Sequence, residues 1–408
     1  MSSSTSSSDA RAQRRLFGRV LLTVLLGMGI ALALVRGFAV AAGAGSQSLL
    51  GRVLLAQAAL PRIAEEKDDL VMFYGSSMVQ AGFSPREFDQ HIADMGGATT
   101  SFNFGFGGLN PLFQDYQTRR IRESLQTSGR RLKLAFIEFN PFQTTVTRRE
   151  RARAIEESYI ALLASPQELW DIVLDDPERG LRMLGIRYLR DGISAEMITT
   201  FFWAEPFQAP RAAPNTELKE EEGVAERLRE VGQQLQQKLK QDYPDFDNSD
   251  WYYPWRGGGT IKAERSAEAL ALVDEFYTLT QTDYRMAVDR LQRIDSADIE
   301  ELHFDPELVS AFVRMVKNLQ QVADRVEVVM LPKNTDWIKN SPEALARQAE
   351  VLQQLETATG VTVRDWQQID VVSNDMFGDT THLNRYEGAV AFTRFVAEQY
   401  GPYLSGSR

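Results

Sequence analysis

Apolar residues in this chain gather in short unbroken runs, and stretches with helical spacing separate them. Leu70–Tyr74 reads "LVMFY", with no charged position. A run that short, without alternation, predicts a strand buried on both faces. Thr99–Phe104, Leu132–Phe139 ("LKLAFIEF"), Val326–Leu331 ("VEVVML") and Val361–Trp366 read as further strands. Helix starts lie between them. Ser84-Pro85-Arg86-Glu87 has an N-cap, a proline at the first helical position and a capping-box glutamate. Ser341-Pro342-Glu343-Ala344 opens another helix, which stops near Gly360. This alternation predicts an α/β fold with about five parallel strands, covered on both faces. In such sheets the active site lies at the carboxyl ends of the strands.

Between the third and fourth strands the pattern changes. Val224–Leu239 is helical in spacing, Glu205–Gly223 is a polar, proline-containing linker, and Trp251–Gly259 reads "WYYPWRGGG". Residues 146–310 are therefore read as a large, mostly helical insertion between a first part, 67–145, and a second part, 311–408. No internal repeat is visible.

The N-terminus has its own pattern. A serine-rich start is followed by Arg11, Arg14, Arg15 and Arg19, then by Val20–Val35 ("VLLTVLLGMGIALALV") without a charge. The reading is a single transmembrane anchor over 20–42. A cytoplasmic tail, 1–19, precedes it and a stalk, 43–66, follows. The arginines set the orientation, so the rest faces outward, which in a bacterium is the periplasm. Sixteen helical residues span about 24 Å against a hydrocarbon core of roughly 30 Å; Arg36 interrupts the run but can snorkel, and Gly37–Ala44 stays uncharged. The rivals are a signal peptide cleaved near "AVAAGAG", with "RRLFGR" resembling a twin-arginine signal, and a soluble amphipathic stretch.

Composition narrows the chemistry. A net charge of −11 over 408 residues argues against nucleic acid as a main partner. The absence of cysteine excludes disulfides, thiolate metal sites and a cysteine nucleophile. The three histidines, His91, His303 and His382, lie far apart, which argues against a multi-histidine metal site. No metal or cofactor is expected.

Two segments carry candidate chemistry. Gly75-Ser76-Ser77 stands at the end of the first strand. "FGDTTHLNRYEG", Phe377–Gly388, places Asp379 and His382 three apart on a loop before a helix. Asn384 and Glu387 read as the start of that helix, and Phe392, Val396 and Tyr400 as its apolar face. A serine is a poor nucleophile until a base takes its proton; His382 is that base, and Asp379 fixes its tautomer. The bland alternatives are an ordinary strand-to-helix turn and a capping histidine. His91 reads as a surface residue on the first predicted helix and His303 as a helix-boundary residue.

Taken together, these blocks resemble the SGNH (GDSL-type) hydrolase superfamily. Gly75-Ser76-Ser77 matches its Gly-Asp-Ser block, "NFGFGG" the block that pairs Asn103 with Gly108, Asn140 the asparagine of its third block, and Asp379 with His382 its Asp-x-x-His. The matches cover residues 68–141 and 326–400. Ser76 replaces the block's aspartate, and Glu138-Phe139-Asn140-Pro141 lacks the third block's glycine and second aspartate. Gly-Ser-Ser with an N-terminal anchor is similar to the DltD-type proteins of cell-envelope D-alanylation and to exopolysaccharide acetylating proteins, although Met78 stands where many DltD sequences have glutamate. The resemblance implies a flavodoxin-like three-layer fold, Ser77 as nucleophile, and an oxyanion hole of Ser77, Gly108 and Asn140. It also implies a membrane-bound O-acyltransferase as partner and a polysaccharide or lipid-linked glycan as acceptor. An exported esterase, lipase or thioesterase, or a non-catalytic carbohydrate-binding scaffold, stays open. Trp251, Tyr252, Trp255 and Arg256 are read either as a sugar platform with an anion contact or as packing.

Overall fold

A computed structural model describes residues 6–41, 49–107, 109–187, 223–242, 266–282, 301–384 and 387–406. In chain order its elements are α1 (Ser6–Ala41), α2 (Leu49–Ile63), β1 (Asp69–Gly75), α3 (Ser77–Gly82), α4 (Pro85–Asp94), β2 (Thr99–Gly105), α5 (Pro111–Ser128) and β3 (Leu132–Glu138). Then follow α6 (Val146–Leu163), α7 (Pro166–Asp175), α8 (Pro177–Gly185), α9 (Val224–Asp242) and α10 (Ala267–Thr282). The chain closes with α11 (Pro306–Gln320), β4 (Val326–Met330), α12 (Pro342–Thr359), β5 (Val363–Asp365) and α13 (Gly388–Leu404). Two compact units emerge: residues 1–51 with 160–209, and residues 52–159 with 210–408.

The second unit holds the sheet. Its five strands run parallel in the order β2-β1-β3-β4-β5. β1 is an interior strand, paired with β2 on one edge and β3 on the other, and every residue from Leu70 to Gly75 is buried. Its alternate side chains serve two different layers. Val71 and Phe73 join a core with Phe88 and Ile92 of α4 and Phe392, Val396 and Tyr400 of α13. Phe73 stacks on Phe136 of β3, ring centroids 4.8 Å apart. Tyr74 faces the other way, where its hydroxyl donates to Gln117 Oε1 of α5 at 2.7 Å. Each such buried aromatic stabilises the fold by about 1.5–3 kcal/mol relative to exposure. On that second face Asp115 of α5 is buried and accepts from Arg314 Nε at 2.7 Å and Asn318 Nδ2 at 3.2 Å, both on α11. Helices thus cover both faces, as the unbroken apolar runs predict.

The strands fall where the apolar runs place them, except that β5 is shorter. Trp366 follows β5, its N–H still donating to the Met330 carbonyl of β4 at 3.0 Å and its ring packed against Phe136, Phe392 and Tyr400, and β5 is a short, exposed edge.

In the first unit α1 runs unbroken across the expected anchor, and its described apolar side chains are exposed, Phe17 at 70% and Leu34 at 69%. Among the described residues, however, no helix is long and apolar enough to cross a membrane. The uncharged run is short for the purpose, and arginines bound it on both sides.

Candidate active site

β1 ends at Gly75 and the chain turns directly into α3. Ser76 is the N-cap, with φ −85° and ψ −167°, and its Oγ accepts the Met78 N–H at 3.1 Å. Ser77 is the first helical residue. Its side chain therefore stands at the carboxyl edge of the sheet, and its N–H is among the donors that a helix start leaves without an intrahelical partner. The turn depends on a glycine in the neighbouring strand. A Cβ on Gly105 would lie 2.2 Å from the Gln80 nitrogen and 2.8 Å from the Ser76 carbonyl oxygen, so β2 and α3 meet backbone to backbone. Asn103 secures the far end of α3. Its Nδ2 donates to the carbonyls of Val79 at 2.9 Å and Phe83 at 2.8 Å, while its Oδ1 accepts the Gly105 N–H at 2.8 Å.

The imidazole of His382 arrives on the loop before α13. Phe377 and Leu383 are buried and bridge to each other, and the Gly378 N–H donates to the His382 carbonyl at 2.9 Å. Inside this closed turn Asp379 Oδ1 accepts the N–H groups of Thr381 and His382, both at 2.8 Å. Such a turn, capped by its own aspartate, fixes the backbone that carries the imidazole.

Ser77, His382 and Asp379 meet. His382 Nε2 lies 2.7 Å from Ser77 Oγ, and Nδ1 lies 2.7 Å and 2.9 Å from the two Asp379 oxygens. A carboxylate only accepts, so it draws the proton to Nδ1 and leaves Nε2 free to accept from the serine hydroxyl. Burial opposes ionisation of Asp379. The hydrogen bond and charge of His382, with the N–H groups of Thr381 and His382, outweigh it and hold the carboxyl below its ordinary 3.8.

The opposite wall comes from β3. Asn140 is buried, and its Oδ1 accepts the Phe142 N–H at 3.0 Å, which fixes the amide orientation. Its Nδ2 then points to Ser76 Oγ at 3.3 Å and Met78 Sδ at 3.4 Å. A thioether is a weak acceptor, so the second N–H is held loosely and an oxyanion would take it. Two residues before Asn140 is Glu138, whose carboxyl reaches across to Ser76. Sequence reasoning missed its part. The signal was there: a lone acid near the end of the apolar run "LKLAFIEF".

Gly108, Trp251, Tyr252, Trp255 and Arg256 lie outside the described residues. His91 on α4 pairs with Glu87 at 3.1 Å and His303 with Glu301 at 2.7 Å, and neither contact involves the serine. Among the described residues no cluster of three or more histidines or carboxylates could hold a metal ion.

No protein-family model and no curated protein matches the chain.

Proposed function

We propose that the protein is a serine-dependent acyl transferase of SGNH type that works through an acyl-serine on Ser77. The observation that carries this is the 2.7 Å contact between Ser77 Oγ and His382 Nε2, with Asp379 behind the imidazole. The strand order agrees with a flavodoxin-like sheet, whose topological switch point falls between β1 and β3. Ser77 follows one of those strands and Asn140 the other.

The chemistry follows from the arrangement. As Ser77 Oγ bonds to the acyl carbon, His382 takes the hydroxyl proton, and Asp379 stabilises the imidazolium. Negative charge then moves to the acyl oxygen, within reach of the Ser77 N–H and the Asn140 Nδ2. One such donor lowers the barrier by roughly 3–4 kcal/mol. His382 passes its proton to the leaving group as that bond breaks. In the second half-reaction an acceptor hydroxyl attacks the acyl carbon and loses its proton to His382, which returns it to Ser77 Oγ as the acyl–Oγ bond breaks.

Transfer to a glycan rather than to water is part of the proposal, as are an inner-membrane anchor, a periplasmic site and a membrane-bound O-acyltransferase as donor partner. The DltD-like Gly-Ser-Ser and the long insertion support it. A fluorophosphonate probe tests the core claim. Wild type should be labelled on Ser77, Ser77→Ala should not, and Ser76→Ala should be labelled more slowly. With a small activated ester, a burst followed by slow turnover, accelerated by an acceptor glycan that becomes acylated, supports transfer. Steady hydrolysis that ignores every glycan points to an esterase, and a wild type that takes no probe points to a scaffold.

A further inference from the structure

Glu138 is a carboxyl group with almost no access to water, 4% exposed, and the triad chemistry does not use it. Its neighbours fix what it is. Ser76 Oγ already accepts two hydrogens, from the Met78 N–H at 3.1 Å and from Asn140 Nδ2 at 3.3 Å. Both lone pairs of that oxygen are occupied, so the Ser76 hydroxyl proton must be donated, and it points to Glu138 Oε1 at 3.0 Å. The other carboxyl oxygen, Oε2, accepts the Ser76 N–H at 2.6 Å. Both oxygens face donors of Ser76, the arrangement a carboxylate takes when it has no hydrogen of its own to place.

The approach is built in. A Cβ at position 75 would lie 2.4 Å from Glu138 Oε2 and 2.6 Å from Glu138 Cβ, so only glycine there lets the carboxylate reach the turn. The charged groups facing it are few. His382 stands on the loop before α13 and interacts with it electrostatically, and Lys333, after β4, lines the same small cavity as Glu138, Met78 and Asn140.

We propose that Glu138 is a second, ionised carboxylate of the site, a positioning residue that clamps the serine turn through Ser76 and so aims the Asn140 amide and the Ser77 N–H at the reacting acyl group. This rests on the acyl-serine reading of Ser77. The clamp takes no proton and forms no bond during the reaction. It divides the labour of two acids: Asp379 orients the base, and Glu138 orients the donors that meet the oxyanion. Burial raises the Glu138 pKa above its ordinary 4.5, and the Ser76 contacts, then Asn140, then the charge of His382, oppose that rise.

The test is the inactivation kinetics of the full-length protein with a fluorophosphonate. Glu138→Gln keeps the shape, loses the charge and presents an N–H group to a Ser76 donor. It should lower the maximal inactivation rate about ten-fold or more while leaving the probe's half-saturating concentration unchanged. Glu138→Asp should recover part of the lost rate, and it serves as the variant of record if Glu138→Gln does not fold. The wild-type-minus-variant infrared spectrum at neutral pH should contain carboxylate bands and no carboxylic-acid C=O stretch. A labelled wild type whose Glu138 variants react at its own rate overturns the clamp alone, as does an acid C=O band at neutral pH. A wild type that takes no probe overturns the acyl-serine reading and the clamp with it.

Discussion

The imidazole of His382 and two backbone N–H groups keep Asp379 ionised into the acid range. The stability that Asp379 contributes is therefore present above pH 3.8 and lost as pH falls through its lowered folded value. Glu138 carries the opposite sign. Its folded value is raised above 4.5, so its contribution is complete below pH 4.5 and fades as pH rises through that folded value. Thermal melts from about pH 3 to pH 8 separate the two. Asp379→Asn should be less stable than wild type at neutral pH and approach it as pH falls below 3.8. Glu138→Gln should gain on wild type as pH rises above 4.5. Equal slopes for wild type and both variants would contradict the environments described for these two acids.

At the scale of elements, the six-residue α3 depends on its neighbours, because a single turn and a half of helix is not stable alone. Asn103 of β2 is its main external support. Asn103→Ala removes three buried hydrogen bonds and should cost about 2–4 kcal/mol in urea unfolding, with slower probe labelling of Ser77 in the folded protein. A variant as stable and as reactive as wild type would show that α3 holds itself. Much of this organisation was legible in the sequence. Strands buried on both faces leave unbroken apolar runs, and the serine turn and the Asp379–His382 loop are local motifs at element boundaries. Boundaries that depend on tertiary contact were less legible. Asn384 does accept N–H groups, from Glu387 at 2.7 Å and Gly388 at 3.2 Å, yet α13 begins only at Gly388. The partnership of Glu138 with Ser76 was not legible, because it follows from β3 lying beside β1, and strand order is not written locally. The same reason hid Asn103: "NFGFGG" shows an asparagine before glycines, not the helix end it supports.

At the scale of the molecule, α1 and the site belong to different compact units, and the proposed function requires one to hold the other at a membrane. A phosphatase fused after Arg408 should be active outside the cytoplasm, and the chain should stay with membranes through a salt wash. A shortened, released form would show a cleaved signal instead. The site itself spans most of the polypeptide, since Ser77 and His382 are 305 positions apart. Synthesis runs from the N-terminus, so the proposed nucleophile emerges long before the proposed base does. Until the final segment docks, with Phe392 against Phe73, the serine is chemically an ordinary alcohol. Reactivity is in effect an end-of-line check. Under the proposed function, a chain cut short by a stalled ribosome or a protease before Asp379 would keep the serine without its base, so incomplete copies would form no acyl-serine.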